Sequence, residues 1–340
     1  MTSPSSTPVI SAFPSPSPTA NPTPSPSPRP SVAPPVTVTV APAGRALECR
    51  LPVTWEVQLD DGTVLPKAGF LTFPTGKVTE DPSAPSNAWF YDRPFAKWLP
   101  VGRTGVSPDG KRYAYTQGNP LSGDTKGKVH VVDVASGADK VLYTGSPIYS
   151  VIDFSAEGIY LTNAPGDVLG HGLWLLNPAG GTPRLITSSI EGPFVGGGAA
   201  WGYAFNRADP HPNAGGIQGP VNEVLRLDLA TGASTVWLYR PGANLSALGF
   251  DSSGHPIISA AYDQGKPGEL WLLTAPAAPT KLPAPGGATG PTTEGAVDRH
   301  GVWFTGVGPP PVVWLYSNGV FSVTATANAL TFDVAGGCIP

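Results

Sequence analysis

Val106-Ser107-Pro108-Asp109-Gly110-Lys111-Arg112-Tyr113-Ala114-Tyr115 carries an apolar strand into a tight turn and out into a second strand. The turn is made of Ser, Pro, Asp and Gly, residues that reverse a chain readily. The same slot is filled by Ser155-Ala156-Glu157-Gly158, Asp251-Ser252-Ser253-Gly254 and Asp298-Arg299-His300-Gly301. The final glycines of these four turns stand 48, 96 and 47 residues apart, and a degenerate copy near Gly197-Gly198 divides the long interval.

Working outward, a second turn type ends apolar strands. It reads Phe73-Pro74-Thr75-Gly76, Val134-Ala135-Ser136-Gly137, Asn177-Pro178-Ala179-Gly180, Leu229-Ala230-Thr231-Gly232, Ala275-Pro276-Ala277-Ala278 and Ser317-Asn318-Gly319. Helical periodicity is almost absent, and short β-branched and aromatic runs alternate with Gly, Pro, Asn, Asp and Ser. A repeat in the forties with four strands per unit is the signature of β-propeller blades. The first turn type joins strands a and b, and the second joins c and d. Strand c is clearest at Val129–Val134, Leu173–Leu176, Val224–Leu229, Leu270–Leu273 and Val313–Tyr316. Each is bulky on both faces, as a strand between neighbouring blades must be.

The c–d turns predict an all-β, six-bladed propeller. Leu330–Ala335 is left over after the last d strand, Val320–Thr324, and alternates with Leu330, Phe332 and Val334 on one face. It is expected to supply strand a of the first blade, pairing with the N-terminal strand near Cys49–Val53. Seven blades result instead if Asp60-Asp61-Gly62 is a further a–b turn.

Val106–Tyr115 resembles the repeat of TolB-type propellers, in which an apolar strand runs into Ser-Pro-Asp-Gly and then a second strand. The spacing extends the likeness over about Ala43 to Pro340. Tyr91-Asp92-Arg93 through Trp98-Leu99-Pro100 to Tyr115 also resembles exported bacterial propeller proteins. The resemblance implies a six-bladed fold and binding of a protein or a glycan, and it implies no reaction.

Residues 1–42 are nearly all Pro, Ser, Thr, Ala and Val. Proline fixes φ and removes a donor, so this run is expected to be a disordered, extended tether ahead of a propeller over 43–340. Charged residues make up 13% and the net charge is −4, against about 25% charged in typical domains. With no basic cluster, nucleic acid and anionic membrane surfaces are excluded as partners. Cys49 and Cys338 stand near the two ends of the folded part with no cysteine between them. They are expected to form one disulfide in an oxidising, extracytoplasmic compartment. An export signal or anchor is expected to precede Met1, so the protein is read as a surface-tethered monomer.

Most catalytic templates are absent. There is no Gly-x-Ser-x-Gly elbow, phosphate loop, His-Glu-x-x-His or Cys-x-x-Cys, and no cofactor or metal is expected. Charge gathers in the b–c and d–a connections, which emerge on one face of a propeller. The candidate ligand face comprises Asp92, Arg93, Asp124, Asp167, His171, Glu191, Arg207, Asp209, His211, Asp263 and Glu294. Asn206–Pro220 is the longest such loop and is expected to protrude, with Asp209 and His211 accessible. Trp174, Trp271 and Trp314 read as packing between blades, and His130 as a structural residue. Trp89 and Trp98 read as core residues, with stacking on a sugar as the alternative. The leading functional reading is a tethered binding module. The alternatives are a hydrolase or lyase acting on an extracellular glycan in the central funnel, and a structural surface-layer component.

Overall fold

A computed structural model describes residues 35–163, 170–205, 208–209, 221–262, 267–283, 291, 293–306 and 308–340. The chain enters through β1 (Thr37–Val40) and the one-turn helix α1 (Pro42–Arg45). A meander comes next: β2 (Cys49–Gln58), β3 (Val64–Phe73) and β4 (Lys77–Glu80). After it stand a small hairpin, β5 (Phe90–Asp92) and β6 (Lys97–Leu99), and then β7 (Arg112–Gln117), β8 (Gly127–Asp133) and β9 (Asp139–Gly145). The middle of the chain holds β10 (Tyr149–Phe154), β11 (Ile159–Asn163), β12 (His171–Leu176), β13 (Arg184–Gly196), β14 (Ala199–Ala204), β15 (Glu223–Leu227) and β16 (Ser234–Tyr239). Then come β17 (Ala243–Phe250), β18 (Pro256–Tyr262), β19 (Glu269–Leu272) and β20 (Thr280–Leu282). The chain ends with β21 (Thr293–Asp298), β22 (Gly301–Gly306), β23 (Val312–Ser317), β24 (Val320–Asn328) and β25 (Thr331–Val334).

The sheets are antiparallel meanders of the kind a propeller requires. Strands β17 to β20 pair in sequence order, as do β21 to β24 and β7 to β9. Val106 adds a bridge to Tyr113 on the inner side of β7. Strands β10 to β16 form one continuous run because β13 serves two sheets. Its first half pairs with β12 and its second half with β14. All the a–b and c–d turns expected from sequence fall between the strands they were expected to join. Gly197 and Gly254, in the turns before β14 and β18, meet so closely that a Cβ on Gly197 would lie 2.0 Å from the Gly254 carbonyl oxygen. Only glycine at that position allows the two turns to touch.

The sheets stack face to face through apolar clusters. One joins β7–β9 to β10–β12 through Val129, Val131, Ile159 and Leu161. Others join β11–β13 to β14 and β15, β14–β16 to β17–β19, and β17–β20 to β21–β24. The largest sets β2 and β3 against the last sheet and contains Leu51, Val53, Trp55, Trp303, Val313 and Phe332.

The C-terminal strand pairs where it was expected to. Val53 faces Val334 and Trp55 faces Phe332, so β25 is the inner strand beside β2. Beyond it, Arg50 and Ile339 exchange both backbone hydrogen bonds. Cys49 and Cys338 form a disulfide with Cα atoms 5.6 Å apart, across 289 residues of sequence. Asp298 ties the last sheet to this junction. Its Oδ2 accepts from the Cys338 amide at 2.7 Å and from Trp303 Nε1 at 2.8 Å.

Two expectations need correction. The boundary at residue 42 is too late, because Thr37–Val40 pairs with β24 as a fifth strand and Val40 is buried in the large cluster. The reason is local: Val36-Thr37-Val38-Thr39-Val40 is an unbroken β-branched run with no proline to remove a donor. Asp60-Asp61-Gly62 joins β2 to β3, so it is a b–c turn and does not begin another blade.

Cys338→Ser is expected to lower the stability of the folded chain by about 2–5 kcal/mol, read as the denaturant midpoint. An unchanged midpoint would show that the β25–β2 junction holds without the covalent bond. If residues 1–34 are a tether, removing them leaves the melting temperature unchanged. Extending the deletion through Val40 lowers it, because the edge of β24 is then bared.

Candidate functional site

Neighbouring sheets elsewhere share broad apolar interfaces, whereas the first sheet and β7–β9 do not. On the side of β2 and β25 away from Trp55 and Phe332, the side chains are Thr54, Glu56, Thr331 and Asp333. The register sets Asp333 opposite Thr54 and Glu56 opposite Thr331. Lower on the same face, Ala68, Phe70 and Ala335 pack on Trp98, Tyr91 and Ala88 of the β5–β6 region. The hairpin is pinned from both sides. The Tyr91 amide donates to the Ala335 carbonyl at 2.7 Å, and Lys97 Nζ donates to the Val134 carbonyl at 2.6 Å. It stands between the two sheets as a wedge.

Beside this wedge lies a cavity of about 720 Å³. Thr54, Glu56, Thr331 and Asp333 form one wall. Trp89, Phe90, Arg103 and Thr104 form the next. Ile152 of β10, Phe194 and Val195 of β13, and Ala247–Phe250 of β17 also line it. Trp89 is 68% exposed, in contrast to Trp98, which is buried and donates its indole N–H to Asp81 at 3.0 Å. Lys67 also borders the cavity, with its ammonium held by Glu80 at 2.8 Å.

The carboxyls of this region are perturbed. Burial pushes Asp153, next to Ile152, up to about 6, with the nearby Arg103 guanidinium opposing and Glu157 adding to the rise. Asp333 is raised by burial first and by repulsion from Glu56 second, while a hydrogen bond from Thr305 pulls it back. Asp333 keeps solvent-exposed surface, so the neighbouring walls desolvate it only in part. An aromatic-walled cleft with a few convergent polar groups is the usual form of a ligand site.

The residues expected on the ligand face are distributed otherwise. His171 and Glu191 are directly opposite each other on β12 and β13, with Nδ1 and Oε2 2.6 Å apart. They are the one pair from that set brought together among the described residues. Asp124 is exposed and accepts from the Asn119 amide, capping its own loop. Asp92 and Arg93 are on the opposite face. The hairpin runs down between the sheets, so its tip lies beside Gly110 of an a–b turn and Val134 of a c–d turn. Asp92 is buried there, and burial raises its carboxyl. Asp209 is buried too, contrary to the expected exposure. It accepts from Asn222 Nδ2 at 2.6 Å and from the Gly242 amide, in the β16–β17 connection, at 2.8 Å. Asp167, Arg207, His211 and Asp263 lie outside the described residues, as does the side chain of Glu294.

Reading the sequence overlooked Glu56, Phe90, Arg103, Asp153 and Asp333. A signal for the wall was present. Leu330, Phe332 and Val334 alternate with Thr331 and Asp333, whereas an inner strand packed on both sides has no reason to carry a polar face. Among the described residues, the close set of three metal-competent side chains is Cys49, His300 and Cys338, and the disulfide occupies both sulfurs. No helix among the described residues is long and apolar enough to cross a membrane.

No protein-family model matches the chain, and no curated protein matches it by sequence. Among solved structures it is similar to TolB from Acinetobacter baumannii, at 14% identity and a TM-score of 0.45 over 76% of this chain. It spans 65% of that TolB chain. It is also similar to the β-propeller domain of the trilobed protease from Pyrococcus furiosus, with 9% identity, a TM-score of 0.45 and coverage of 80% of this chain and 79% of that one. An oligogalacturonate lyase in complex with manganese gives 11% identity and a TM-score of 0.48, covering 86% and 90% of the two chains.

Asp209→Ala is expected to cost about 1–3 kcal/mol, because it removes a buried acceptor from Asn222 Nδ2 and the Gly242 amide; a loss within the scatter of surface substitutions would show that these contacts are dispensable. Asp153 has the opposite linkage. Its folded-state carboxyl is raised, so its contribution to stability is fully present below the ordinary carboxylate range and is lost as pH rises through about 6. Asp153→Asn is therefore expected to raise the melting temperature at pH 7 and to flatten its pH dependence below that. A lower melting temperature at pH 7 would refute this assignment.

Proposed function

We propose that this chain is a six-bladed propeller, held outside the cytoplasm on its Pro/Ser-rich segment, that binds a protein or a glycan at the cell surface through the cleft beside β25. The observation that carries the reading is the cleft itself. It is an aromatic-walled cavity with Trp89 left in solvent at its edge. A large exposed indole is costly to keep in water and suits recognition of a partner surface or a sugar ring. The disulfide supports the compartment, since such bonds persist in oxidising surroundings. The raised carboxyls of Asp153 and Asp333 favour a second reading, a hydrolase or lyase using one of them as a proton donor.

The test is binding of the full chain to immobilised glycan and peptide arrays, with Trp89→Ala beside the wild type. The substitution is expected to leave the melting temperature unchanged and to weaken binding at least about tenfold, roughly 1.4 kcal/mol. Binding indifferent to Trp89→Ala would overturn the cleft as the site. Turnover of an array glycan that is lost in Asp153→Asn or Asp333→Asn would favour the second reading.

A further inference from the structure

Resting on the cleft reading, we infer that the cleft receives a lysine or arginine side chain of an extended polypeptide. The cationic head sits at Glu56 and Asp333, and the aliphatic stem lies against Trp89 and Phe90.

The charge balance of the walls points this way. Glu56 and Asp333 form no ion pair among the described residues, although they stand diagonally across one strand pair and repel each other. The cations bordering the cavity are already engaged: Lys67 with Glu80 at 2.8 Å, and Arg103 in the field of Asp153. Two carboxylates on one wall of the cavity therefore lack a counter-charge, and a cation entering there relieves their repulsion.

The remaining lining selects the form of the cation. Trp89, Phe90, Phe194 and Phe250 supply aromatic rings to the lining, beside apolar side chains such as Ile152, Val195 and Leu248. Ring faces attract a guanidinium or ammonium and pack against its methylene stem. This chain uses the same chemistry internally, with Arg240 3.7 Å above the Trp271 ring and Arg50 5.2 Å above Phe70. A cavity of about 720 Å³ exceeds what one long side chain fills. The apolar remainder suits the residues flanking that side chain in a polypeptide.

The test uses an array of immobilised peptides in which one position carries Lys, Arg, Nε-acetyl-lysine, norleucine or Glu. It is probed with the full chain, its Glu56→Gln/Asp333→Asn double variant, each single variant and Trp89→Ala, with a glycan array in parallel. Lys and Arg peptides are expected to be retained at least about tenfold above their acetyl-lysine and norleucine counterparts. The preference should fade at high salt and disappear in the isosteric double variant, while circular dichroism and melting temperature stay those of the parent. Should the double variant unfold, the single variants carry the test, each reducing the preference. Equal retention of acetyl-lysine peptides, or Trp89-dependent binding confined to glycans, overturns the cationic inference and leaves the cleft reading standing. The absence of any Trp89-dependent binding to either array overturns both.

Discussion

The pairing of β25 with β2 is the constraint on which the rest of this molecule depends. Apart from β1 on the edge of the last sheet, every other sheet is a meander of strands consecutive in sequence. The first sheet draws its inner strand from the far end of the chain, so its formation costs the closure entropy of nearly the whole domain. That entropy is offset by three reinforcing contacts: the ladder from Val53–Val334 to Glu56–Thr331, the Arg50–Ile339 bridge, and the Cys49–Cys338 bond. Asp298 couples them to the last sheet by holding Trp303 and the Cys338 amide with one carboxylate oxygen.

This pairing also places the cleft. Because β25 is an inner strand, its polar edge of Thr331 and Asp333 is delivered to the axis. Because β2 carries Leu51, Val53, Trp55 and Val57 toward the last sheet, the opposite side of the first sheet is left for the segment after β4. That segment is a hairpin and brings no broad apolar face. The wedge covers Ala68, Phe70 and Ala335 and stops short of Glu56 and Asp333. A cavity beside well-packed interfaces is where a rigid scaffold can hold binding chemistry without surrendering stability.

The N-terminal strand manages a different liability. The outer strand of a blade exposes unpaired backbone groups and is a template for unwanted pairing. In the last sheet β1 covers that edge, and Gly44 lets α1 approach Thr324 so closely that a Cβ would lie 2.3 Å from its carbonyl oxygen. The segment that leads into the folded part is therefore also its edge cover.

The repeat of turns at Gly110, Gly158, Gly254 and Gly301 determined the strand-by-strand architecture, because tight reversals need particular residues and those residues are visible one at a time. The alternation of Leu330, Phe332 and Val334 likewise determined that a C-terminal strand must find a partner elsewhere, and two lone cysteines marked where. The site was not legible in the same way. Asp209 reads as a solvated loop carboxylate until Asn222 and Gly242 close over it. Asp92 reads as a rim residue until its hairpin turns down between two sheets. Glu56, Trp89, Arg103 and Asp333 come from four separate stretches of chain, and nothing local relates them. Periodicity reports which side of a strand is apolar, but which neighbour covers that side depends on how sheets far apart in sequence stack, and that was decided by the tertiary structure alone.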